Sequence, residues 1–259
     1  MDRVQQGKEE GGGGEMKRAA LTRIMIFFIA ASLLASLFAG LATADFPMPT
    51  APDNMTNVST QSPAPTGGYA SNTSGGTITV MNINATTQNP HWKAYVGNIS
   101  GKLALQDASG NAVYDWNISS MEGELYATRE SDTVDWSGIV CADITDIQAE
   151  ETALDMTSSS EDSIINTFDS NSHAGFYAGL TEVAADSCNS TNLYVNSQAS
   201  SDFAEILLYD GSNIVYTALL EDSITGFDGI QYDFEMILPD SGLEGSQVPE
   251  TYYFYVELI

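Results

Sequence analysis

HWKAYVGNISGKLALQDASGNAVYDW, residues 91–116, alternates apolar and polar side chains with period two. Trp92, Ala94 and Val96 share one side of a first strand. Ile99, Leu103 and Leu105 mark a second, with Lys102 and Gln106 facing away, and Tyr114, Trp116 and Ile118 mark a third, with Asp115 and Asn117 opposite. This is the pattern of antiparallel strands with one dry and one wet face. Gly97-Asn98 and residues 107–111 (DASGN) supply turn residues that tolerate left-handed backbone angles. The stretch reads as a three-strand meander that opens the folded domain, and its two Trp and two Tyr are expected to fill much of the core. A row of aromatics is also what a sugar-stacking platform needs, and that reading stays open.

Working outward, residues 77–86 (TITVMNINAT) predict the first strand, with Ile78, Val80 and Asn82 set against Thr79, Met81 and Ile83. Residues 123–128 predict another. Residues 143–156 break the β pattern: Ile144, Ile147 and Leu154 fall at helical spacing, with Glu150 and Glu151 outward. Ser158-Ser-Ser-Glu161 reads as a capping box ahead of a short helix with Ile164, Ile165 and Phe168 inward. Short strands are expected within 175–181 and 193–195. Residues 203–209 are apolar on both faces, as in a central strand, and a turn at 210–213 leads into 214–220. Tyr232, Phe234, Met236 and Leu238 alternate with Gln231, Asp233 and Glu235 until Pro239 stops the strand; Tyr252, Phe254, Val256 and Leu258 form the last. Roughly ten strands with short turns predict an all-β fold, a two-sheet antiparallel sandwich of jelly-roll or Ig-like type. It spans 77–259 and carries a helical insertion at 143–168.

The N-terminal 44 residues read as an export signal. The apolar run 24–40 follows Lys17, Arg18 and Arg23 and ends in Ala42-Thr43-Ala44, with small residues at −3 and −1 of a cleavage site before Asp45. Met16 gives a compact basic start. Extended to Ala44, the run is also long enough to span a bilayer as an uncleaved anchor, the one route to a membrane; on either reading the body lies outside the cell. A prepilin signal does not fit, since no small residue separates Arg23 from the run and no acid follows. Residues 45–76, rich in Ser, Thr, Pro and Asn, read as a disordered linker. Acceptor sequons fall at Asn54, Asn57, Asn72, Asn84, Asn98, Asn117 and Asn189.

From Asp45 onward, Lys93, Lys102 and Arg129 face 31 acids, a charge of −28. That excludes nucleic acid and anionic lipid as partners and calls for counter-ions. Asp143, Asp146 and Glu150 are candidates to gather a structural calcium ion, although no EF-hand spacing is present; no other cofactor is expected. Cys141 and Cys188, the only cysteines, read as a disulfide in an exported chain. His91 and His173 have no Ser or Cys nucleophile motif to serve and G-x-S-x-G is absent, so no enzyme activity is expected. On the last strand Tyr253 and Tyr255 face away from the core side, either as a subunit contact or packed beneath another element.

The segments Tyr95-Val-Gly-Asn-Ile-Ser-Gly101, Val113-Tyr-Asp-Trp116, Phe203-Ala-Glu-Ile-Leu-Leu208, Gly226-Phe-Asp-Gly229 and Tyr252-Tyr-Phe-Tyr-Val-Glu-Leu258 together resemble a family of secreted cell-surface proteins of archaea, methanogens especially. The resemblance implies an extracellular envelope component of S-layer, sheath or filament type, and it carries over no catalytic residues. The expected function is therefore non-enzymatic: a self-assembling envelope subunit, in contact with itself and with other envelope proteins or glycans. The alternative is an adhesion or carbohydrate-binding module displayed on a glycosylated stalk.

Overall fold

The computed structural model describes residues 48–63, 67–68, 70–130, 134–241 and 250–259. The leader at 24–40, the cleavage site at Ala44 and the boundary at Asp45 lie outside them. Three strands whose residues are buried on both sides set the frame: β4 (Gly123–Thr128), β10 (Ile214–Leu219) and β9 (Gln198–Tyr209), side by side in that order. β14 (Tyr253–Leu258) pairs with the outer side of β4. The far side of β9 is shared by β5 (Val140–Cys141) at one end and β8 (Ser190–Val195) at the other, which completes a six-stranded antiparallel sheet.

Successive side chains of a strand point to opposite faces, so this sheet feeds two cores. Leu125, Ala127, Leu207, Tyr216 and Ala218 face the first; Tyr126, Ala204, Ile206, Leu208 and Val215 face the second. The first core is closed by a two-stranded ribbon, β1 (Trp92–Gly97) paired with β13 (Phe234–Pro239), and by α1 (Ile144–Ala153) and α2 (Ile164–Thr167). The second is closed by the hairpin of β6 (Phe176–Ala178) and β7 (Thr181–Val183) and by a 3₁₀ turn at Trp136–Gly138. The fold is predominantly β, antiparallel and layered about apolar cores, as in a β-sandwich. Phe46–Ile259 separates as one unit by its internal contacts.

The Cys141–Cys188 disulfide is present, with 5.0 Å between the Cα atoms. It joins the end of β5 to the residue pair just before β8, both against β9. The loop it closes carries α1 and α2 to one face of the sheet and β6–β7 to the other. His173 fixes this junction from inside: its Nε2 accepts from the backbone N–H groups of Ser187 and Cys188, at 3.2 and 3.0 Å. Two incoming donors make Nε2 the unprotonated nitrogen, so His173 is a structural histidine.

The opening stretch departs furthest from expectation. β1 leaves the meander and pairs with β13, while β2 (Lys102–Gln106) and β3 (Ala112–Asn117) form a separate hairpin whose residues are exposed throughout. Trp92 and Tyr95 pack against the first core, but Tyr114 and Trp116 do not enter it. The core is organised by β4, β9 and β10 instead. Residues 77–86 form no strand and pair with nothing among the described residues. The linker, in turn, is not free throughout: Thr50 exchanges backbone hydrogen bonds with Val256 of β14, at 3.0 and 2.8 Å.

The helical insertion forms with different caps. The capping box lies at Asp143 and Asp146, ahead of α1, and Ser163 rather than Ser158 caps α2. Ser158 instead donates to Glu151, which is fully buried where the spacing placed it outward. Ile147, Leu154, Ile164 and Phe168 are buried as expected, whereas Ile144 is exposed.

Candidate interaction surface

The β2–β3 hairpin is a short ribbon with its large aromatic and leucine side chains gathered on one face. Leu103 lies opposite Trp116 and Leu105 opposite Tyr114, and directly opposed residues share a face. Four large apolar side chains therefore sit together, each 47% to 61% exposed. Tyr114 and Trp116 meet edge to face with ring centroids 4.9 Å apart. The other face is mixed, with Ala104 and the exposed Val113 beside Lys102, which pairs with Asp115 at 2.6 Å. The connecting turn is fixed by Asp107, whose carboxylate accepts from the backbone N–H groups of Ser109 and Asn111, both at 2.9 Å. These hydrogen bonds, that from the Asn111 side chain first, hold the Asp107 carboxyl below its usual range. The hairpin is thus a built element that presents its apolar face to solvent. An exposed, contiguous apolar face of this kind is a candidate interaction surface.

The last strand resolves into covered and open parts. Tyr255 packs against the second core beside Trp136, with centroids 5.6 Å apart, so this half of the expected stripe lies beneath another element. Tyr253 is exposed.

The candidate calcium ligands are engaged elsewhere. Asp143 accepts from the N–H groups of Thr145 and Asp146, Asp146 accepts from that of Asp143, and Glu150 takes two hydrogen bonds from Arg129 at 2.9 and 2.7 Å. Among the described residues no three His, Cys, Asp or Glu side chains converge on a metal-sized site. A cleft of about 190 Å³ lies where Arg129, Asp146, Glu150, Tyr209 and Asn213 meet, and the Arg129–Glu150 pair occupies its polar side.

Of the sequons, Asn54, Asn57, Asn72, Asn84, Asn98 and Asn117 are exposed. Asn189 is half-buried and its side-chain amide donates to the Phe168 carbonyl at 3.0 Å. Glycopeptide mapping of the chain is expected to find Asn189 unmodified whatever the occupancy of the others; a glycan there would contradict this packing.

Comparison with known proteins returns no relative. No family model, no curated protein and no solved structure matches the chain.

Sequence reasoning missed a set of buried acids. Glu257 accepts from the Tyr126 hydroxyl at 3.0 Å and from Gly179 N–H at 2.9 Å. Glu205 accepts from Ile237 N–H at 2.8 Å, and Glu235 from Phe227 N–H at 2.8 Å. Asp233 holds the N–H groups of Ile99 and Ser223, at 2.7 and 3.0 Å. In each case a carboxylate takes up a backbone N–H left outside any ladder, in a loop or turn or, for Ile237, on the outer side of β13. Glu124 differs: it stands opposite Glu257 in the β4–β14 register and its Oε2 has no hydrogen-bond partner. Burial first, and the Glu257 charge second, push its carboxyl up to about 8. Burial likewise raises Glu205 well above the usual range and raises Glu235 and Glu257.

Proposed function

We propose that this chain is an extracellular, non-enzymatic structural protein: a self-assembling subunit of a cell-envelope layer, sheath or filament. The observation that carries the reading is the β2–β3 hairpin, whose turn is fixed by Asp107 while Leu103, Leu105, Tyr114 and Trp116 face water. An isologous contact through this face would bury four apolar side chains from each copy. The sequence supports an extracellular setting through its export-type leader, its sequons and its resemblance to archaeal surface proteins. A charge of −28 beyond Asp45 opposes association in water, so assembly calls for salt or divalent cations bridging acids between subunits.

A second reading draws on the same residues. Tyr114 and Trp116, adjacent and exposed, form a ledge on which a sugar ring can stack, which fits a surface-displayed adhesion or carbohydrate-binding module. Light scattering with negative-stain microscopy, with and without millimolar calcium, separates the two. Ordered sheets, hoops or fibres, promoted by the cation, are the expected result. A monomer under every condition, with saturable binding on a glycan array, would replace the first reading with the second.

A further inference from the structure

The structure leaves a second surface unaccounted for, at the outer edge of the six-stranded sheet. Val256 exchanges both of its outward backbone hydrogen bonds with Thr50, so the outward groups of β14 belong to Phe254, Val256 and Leu258. Among the described residues only Val256 is matched by this added chain. The reason lies in the sequence around Thr50. Pro52 stands where a residue would pair with Phe254 and has no N–H with which to continue the ladder, and Met48, which would pair with Leu258, lies beside Gly179 instead. The edge accepts a strand, but the segment that now covers it can supply one residue pair.

Elsewhere the chain carries the opposite defect, a strand without a sheet. Residues 77–86 are rich in β-branched residues, alternate with period two and contain neither Pro nor Gly. They run without a ladder partner, and Ile78, Val80, Met81 and Ile83 are between 58% and 97% exposed. Residues 78–83 match the six residues of β14 in length, about 20 Å of ladder. Eight residues, 84–91, separate this segment from β1, and Tyr95 of β1 touches Phe254 of β14. Eight extended residues span roughly 26 Å, and the segment stays off the edge of its own β14.

We propose that residues 78–83 are a donor strand that pairs with the open edge of β14 in a neighbouring copy of the chain, displacing Thr50. The inference rests on the self-assembly reading and deepens it by naming a second contact. The hairpin face joins like to like and closes on itself as a dimer. Strand donation is head-to-tail, and a head-to-tail contact that does not close into a ring generates an open array. The Thr50 segment, ended on one side by Pro52, then acts as edge protection, a plug too short to compete with a full strand but sufficient to blunt indiscriminate pairing.

The test uses the Phe46–Ile259 unit and two variants, one lacking residues 77–86 and one carrying Val80→Pro. The intact unit is expected to form large assemblies in which the Phe254 and Leu258 amides gain hydrogen-exchange protection. Both variants are expected to stop at dimers. A synthetic peptide of residues 77–86 is expected to bind the deletion variant one to one, and the same peptide with Val80→Pro about tenfold or more weakly, having lost central ladder bonds. Assembly of the deletion variant to the same size as the intact unit would overturn donation while leaving self-assembly standing. An intact unit that stays monomeric at every concentration would overturn the self-assembly reading and this inference together. Protection of Phe254 and Leu258 in the dilute monomer would show the strand closing on its own chain, and would overturn donation to a neighbour.

Discussion

Replacing Cys141 and Cys188 together by serine is expected to lower unfolding free energy by about 4 kcal/mol, the chain-entropy value for a closed loop of this length. The sequence separation is 47 residues, and the loop holds α1, α2, β6 and β7. Those elements close both cores, so the loss reaches both faces of the sheet at once. Urea denaturation followed by tryptophan fluorescence is the measurement, because Trp136 sits in the second core beneath β6–β7 and Trp92 packs against the first. The midpoint is expected to fall steeply, and reduction of the wild-type chain should reproduce it. A change below about 1 kcal/mol would mean that β5 and β8 hold their places on β9 without the bridge.

Stability is expected to fall as pH rises from about 5 to about 8, and Glu124→Gln is expected to remove part of that slope. The sign follows from the direction of the shifts. A carboxyl whose pKa is raised in the folded state binds its proton more tightly there than in the unfolded chain. Its contribution is fully favourable below the unfolded value near 4.5 and is lost as pH climbs through the folded value, about 8 for Glu124. Each such group costs at most about 1.4 kcal/mol per pH unit within that window. Glu205, Glu235 and Glu257 act in the same direction. Asp107, Asp135 and Asp143 oppose them: their carboxyls are held low by hydrogen bonds, so what they contribute is lost only in more acid solution.

General self-repulsion among the acids also grows with pH, and an exposed control, Glu161→Gln, separates the two effects. Thermal unfolding at pH 5, 6.5 and 8 should show Glu124→Gln stabilising the domain at pH 8 by about 2 kcal/mol, a conservative share of the burial and repulsion it relieves. Its effect should be near zero at pH 5. Equal gains from the two variants at pH 8 would assign the slope to net charge rather than to the Glu124–Glu257 pair.

Much of the sheet was legible in the sequence. Residues 203–209 and 214–220 are apolar on both faces because both faces of β9 and β10 are covered, and the alternation in the last strand gives β14 its correct core side. The β8–β9 hairpin was harder to read. Its turn residues Asn196 and Ser197 both take positive φ, at 48° and 67°, as a two-residue hairpin loop requires. Serine is not a residue that announces such a turn. Buried acids were not legible either: Glu124, Asp233, Glu235 and Glu257 occupy alternate positions that read as solvent-facing, and only the second core and the unpaired N–H groups of neighbouring loops make them internal. The hairpin shows the limit of periodicity most plainly. Leu103, Leu105, Tyr114 and Trp116 do share one dry-looking face, as their spacing indicates. Alternation states that a face is apolar and says nothing of what covers it.

What covers that face is the centre of the account, and sedimentation velocity over a concentration series tests it most directly. The comparison is between the Phe46–Ile259 unit and its Tyr114→Ser/Trp116→Ser variant. The hairpin adds no buried side chain to either core, so both should show the same circular dichroism and melting. The account predicts that wild type grows well past a dimer as concentration rises. The variant should need a roughly thirtyfold higher concentration to reach the same mass, equivalent to about 2 kcal/mol for the two aromatic side chains together. Superimposable profiles for the two chains, or a wild type that sediments as a monomer throughout, would contradict it.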